Sequence, residues 1–90
     1  MEQLTLRKPI TAHGEELHVL EFADPTSRDL QNHGQPVKFD ADENFQFNMK
    51  SVAGYVSACC KIPPSSVDQM DARDLNDAAP MVAGFFGEGE

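Results

Sequence analysis

The sequence predicts an α+β domain: an N-terminal β-hairpin packed on two main α-helices, with short additional helical turns. Three observations carry this reading. Leu4 and Leu6 alternate with Thr5 and Arg7, and residues 17–22 read Leu-His-Val-Leu-Glu-Phe, a composition that suits a pleated surface. Phe45, Met49, Val52, Val56 and Cys59 recur at steps of three and four, the stripe of an amphipathic helix. After Pro63-Pro64 a second stripe of helical spacing follows in Leu75, Ala78, Ala79, Val82 and Phe86.

The elements follow in order. Two strands flank residues 9–16, where Pro9, His13 and Gly14 predict a longish, glycine-containing hairpin loop. A two-stranded ribbon is marginal in water by itself, so it must lay one face on the helices. Asp24-Pro25 then turns the chain, and Thr26 with Asp29 three residues on resembles a capping box with Asp in place of Glu, predicting a short helix. Asn32-His33-Gly34-Gln35-Pro36 holds the stop signals of a helix end, and residues 32–44 are expected to form a mobile, acidic loop. The helix predicted from Phe45 must end before Pro63, because the residue preceding proline avoids the helical region and proline has no N–H for the ladder. Ser65 or Ser66 is expected to cap a turn that brings Val67 and Met70 together. Asp71 is expected to cap the last helix, and Pro80 inside it predicts a kink or break near Asn76-Asp77, since an interior proline costs about 3 kcal/mol. One domain over residues 1–86 and a frayed, flexible tail over 87–90, where Gly and Glu alternate, complete the expected organisation.

Composition narrows the function. Ninety residues with a net charge of −8 bury only about 60–65% of the unfolded surface in one modest core, which leaves little room for a deep catalytic cleft. The charge repels nucleic-acid phosphates and anionic lipid, so neither nucleic acid nor a membrane is an expected partner. Residues 51–60 are the longest uncharged stretch, far short of the roughly 20 needed to span a bilayer. Met1-Glu2-Gln3-Leu4 shows no basic start to a secretory signal. Cys59 and Cys60 are adjacent, a poor disulfide framework that points to a reducing compartment.

No residue set has the spacing of a catalytic or metal site. Asp40-Ala41-Asp42-Glu43-Asn44 opens like a calcium loop, but Phe45 stands where that loop needs glycine and Ser51 where it needs a bidentate glutamate. Asp68, Asp71, Asp74 and Asp77 are spaced by three and read as structural or solvated carboxylates, with contact to a basic partner as the alternative. His13, His18 and His33 show no ligand spacing with the cysteines, and a cysteine on an apolar stripe is core rather than nucleophile. No metal, no cofactor and no enzymatic activity are therefore expected. The stripe of Phe45, Met49, Val52 and Val56 and the pair Phe85-Phe86 read first as core, with a partner-binding groove as the close alternative, because so small a chain has few places to hide Phe39, Phe47, Phe85 and Phe86 at once.

The order of segments carries more than any one of them. Leu6-x-x-Pro9-Ile10 and Gly14 precede Leu17-x-x-Leu20, which leads into Asp24-Pro25-Thr26-x-x-Asp29-Leu30. Ile62-Pro63 and Val67 then precede Met70-Asp71-x-x-Asp74-Leu75 and Val82-x-x-Phe85. Across residues 4–86 this resembles the tail assembly chaperones of Mu-like and related tailed bacteriophages, with Ala23-Asp24 where many members carry a basic residue. The resemblance implies a protein of the infected host cell cytoplasm that binds the tape measure protein, with the tail tube protein as a further partner, and that is absent from the finished virion. A minor structural tail component retained in the virion is the alternative, and self-association is left open. The expected partner-binding residues are Phe45, Met49, Val52, Val56, Phe85 and Phe86.

Overall fold

The structure, a computed structural model, describes residues 2–39, 42 and 45–87, the side chains of Phe39 and Phe45 excepted. It is an α+β domain with the expected N-terminal hairpin. Strands β1 (Glu2–Ala12) and β2 (Glu15–Phe22) are antiparallel, with Leu4 opposite Leu20 and Ile10 opposite Leu17. The expected long loop is instead strand on both sides of a two-residue turn. His13 and Gly14 both take positive φ, 53° and 79°, which matches the twist of the flanking strands. The irregularity sits inside β1: register shifts between Thr5 and Ile10, and this bulge holds Pro9 where no ladder donor is needed.

Helix α1 (Ser27–His33) begins as the capping box predicts. Asp29 N–H donates to Thr26 Oγ1 at 3.2 Å, and Thr26 N–H donates to Asp29 Oδ2 at 2.9 Å. It ends at Gly34, whose φ of 74° suits glycine and whose N–H bonds the Leu30 carbonyl. The expected loop over residues 32–44 contains regular structure. β3 (Val37–Phe39) pairs antiparallel with β4 (Phe45–Phe47), each alternating apolar, polar, apolar, and Asn48 N–H extends the pairing to the Pro36 carbonyl at 2.7 Å. Asp40, Ala41, Glu43 and Asn44, most of the calcium-like run, lie outside the described residues.

Helix α2 (Met49–Cys60) starts four residues later than the stripe suggests. Asn48 is its N-cap, accepting from Ser51 N–H at 3.3 Å, while Phe45 belongs to β4. The helix stops before the prolines, at Lys61 in the left-handed region. The short α3 (Pro64–Val67) is not capped by either serine. Pro64 occupies its first turn, and Ser66 turns inward to donate to the Thr11 carbonyl of β1 at 2.7 Å. Helix α4 (Ala72–Gly87) begins at Asp71, whose carboxylate accepts from Arg73 N–H at 2.8 Å. Of the kink or break expected near Asn76-Asp77, the break does not occur, because α4 is continuous through Pro80. Pro80 has no N–H to give the Asn76 carbonyl, and both residues lie on the exposed face, so the lost bond does not bury an unpaired acceptor in the core. Residues 88–90 of the expected tail are outside the described residues.

One core joins these parts. Leu4, Leu6, Ile10, Leu20 and Phe22 from the hairpin meet Val52, Tyr55, Val56 and Cys59 of α2 and Ala78, Ala79 and Val82 of α4. α1 packs on α2 at Gly54, where an added methyl would collide with the His33 ring, whose Cγ lies 2.9 Å from that point. Gly54→Ala is expected to lower stability by about 1 kcal/mol in urea denaturation, because overpacking outweighs the gain in helix propensity.

Candidate partner-binding surface

Six residues were expected to bind a partner, and the fold places them at different depths. Val52 and Val56 are fully buried in the core. Met49, Phe85 and Phe86 are half-buried and pack against that core from its rim. Phe45 lies in β4, opposite Phe39. Val52 and Val56 have no surface to offer in the folded chain, whereas the three rim residues keep part of theirs.

The rim is organised by Tyr55, which the spacing argument passed over. Its ring meets Phe86 of α4 and His33 of α1 edge-on, each at a centroid distance of 5.3 Å. Its hydroxyl donates to the Gly34 carbonyl at 2.6 Å, and one turn earlier Ser51 Oγ donates to the His33 carbonyl at 2.6 Å. Carbonyls left open at the end of α1 are thus taken up by α2, which fixes α1 and the N-terminal half of α2 against the last turns of α4.

The four spaced aspartates do not form a carboxylate cluster, because each of three is engaged within the fold. Asp74 is fully buried and accepts from Arg7 N–H at 2.9 Å, Lys8 N–H at 3.3 Å and Arg7 Nη1 at 3.1 Å. These two backbone donors are the ones that the bulge of β1 releases from the ladder. Asp77 accepts from the same guanidinium at 2.7 Å, and this pairing, with Asp74, raises the Arg7 pKa. Asp71 is held by side-chain and backbone bonds from Arg73, which lower its carboxyl to about 2. No signal of spacing could have joined Arg7 to Asp74, which lie 67 residues apart.

The surroundings of both cysteines disfavour the thiolate. Burial first, with nearby carboxylates, pushes the Cys59 thiol up to about 11; burial and the neighbouring Cys59 push Cys60 up to about 12. Both are free thiols. Alkylation by iodoacetamide at pH 8 is expected to run well over tenfold slower than for free cysteine, and to accelerate to the free rate in denaturant. Among the described residues no group of His, Cys, Asp and Glu is arranged to hold a metal, and no helix is long and apolar enough to cross a membrane.

Fold and surface together define a small α+β domain with Met49, Phe85 and Phe86 half-buried at the rim of its core. The chain belongs to the family described as phage tail assembly chaperone proteins, E, or 41 or 14, whose profile matches residues 3–87. No curated protein and no solved structure matches it.

Proposed function

We propose that this tail assembly chaperone binds the phage tape measure protein in the host cytoplasm during tail morphogenesis and is left out of the finished virion. Membership in the chaperone family carries this reading. A net charge of −8 supports it, because like-charged copies repel one another while an apolar patch holds a client. The contact surface in this reading is Met49, Phe85 and Phe86 with Phe45, and Val52 and Val56 support it from within the core.

Co-expression with the tape measure protein, followed by pull-down and comparison with the client alone, tests the reading. A soluble complex is expected, and Met49→Ala with Phe85→Ala should weaken it at least about tenfold while leaving the fold intact. An insoluble, unbound client would overturn the reading, and the chain's presence in purified virions would favour a structural tail component.

A further inference from the structure

The rest of the fold treats the two edges of the β1–β2 hairpin unequally. Along β1, side chains of α3 and α4 and the turn between them close the edge. Asp74 takes the N–H groups of Arg7 and Lys8, Gln69 Oε1 accepts from Thr11 N–H at 2.9 Å, and Ser66 Oγ and Gln69 Nε2 donate to the Thr11 carbonyl. Along β2 there is no such cap among the described residues. The backbone bond from Ala23 N–H to the Cys59 carbonyl, 3.0 Å, ties the chain to α2 only just past the end of the strand. Beside it, between β2 and the last turn of α2, lies an open groove of about 380 Å³ walled by Leu17, Val19, Cys59 and Cys60. Val19 is 41% exposed.

An open edge beside an apolar groove is a template for an added strand. Charge decides which strand. β2 exposes Glu15, Glu16 and Glu21, and Asp24 follows, against a single cation on the groove wall, Lys61. A second copy of β2 laid along this edge would bring its own Glu15, Glu16 and Glu21 beside these, and like charges facing each other across a ladder destabilise it. We propose that the outer edge of β2 accepts, as a third strand, an extended segment of another protein that alternates apolar and basic residues. The apolar side chains enter the groove and the basic ones meet the glutamates. This holds whichever protein supplies the segment, and it lies apart from the Met49 and Phe85 surface.

The test titrates the full chain with a strand-length peptide alternating valine and lysine, and with its counterpart carrying glutamate for lysine, following amide hydrogen exchange by NMR. Slowed exchange confined to residues 15–22 is expected with the lysine peptide alone. Glu16→Lys with Glu21→Lys should weaken binding by about tenfold, and Val19→Lys, at an exposed position, should do the same independently. Equal binding of both peptides, protection elsewhere in the chain, or unchanged affinity in both variants would overturn the proposal. So would concentration-dependent protection of β2 without peptide, which would make a second copy the occupant.

Discussion

Asp74→Ala is expected to lower stability by about 3 kcal/mol, a large fraction of a domain total of the order of 5–15 kcal/mol. The reason is the asymmetry between a pair and its members. Asp74 lies fully buried beneath the β1 bulge and is shared by two backbone donors and a guanidinium. Its removal leaves the donors of Arg7 and Lys8 without a partner, each worth about 1–3 kcal/mol where water is excluded, and opens a small void. Arg7→Ala is a milder change. That side chain is 47% exposed, and the carboxylate it leaves still has the two backbone N–H groups, so the expected loss is much smaller. Asp74→Asn should fall between them, keeping an acceptor but giving up the stronger charge-assisted bonds. Urea denaturation of the three variants checks the order. Equal losses for Arg7→Ala and Asp74→Ala would assign the stabilisation to the ion pair instead of the bulge.

What was legible in the sequence is what is local. The Thr26–Asp29 capping box, the Gly34 stop and the prolines after α2 act within a few residues, so type and spacing reveal them. What was not legible depends on distant partners. Ser66 reads as a cap by its position, but the Thr11 carbonyl, 55 residues away, claims its hydroxyl. Phe45 stands four residues before Met49 and so mimics a helical stripe, while three-residue strands such as β3 and β4 are too short to assert their own alternation. The hairpin loop was overestimated because a non-glycine residue, His13, takes positive φ there. For the candidate site the ambiguity is physical. A stripe at helical spacing marks the face turned to the core and cannot say where that face reaches the surface, so Val52 and Val56 share a pattern with Met49 but not its exposure.

That ambiguity makes Tyr55 the residue on which a binding experiment turns. Tyr55→Ala is expected to cost about 3–5 kcal/mol, since the ring is fully buried between His33 and Phe86 and its loss leaves a cavity where α1, α2 and α4 meet. Client binding should vanish with it, but through loss of the fold, as it would to a lesser degree in Val52→Ala or Val56→Ala. Tyr55→Phe separates the two causes. It keeps the ring against Phe86 and removes only the donor to the Gly34 carbonyl, for an expected loss of about 1 kcal/mol in thermal denaturation. If the rim aromatics hold the client directly, Tyr55→Phe should retain affinity while Met49→Ala with Phe85→Ala loses it in a chain that still folds. Equal loss in both would mean that anchoring α1 to α2, and not the apolar rim alone, shapes the surface the client meets.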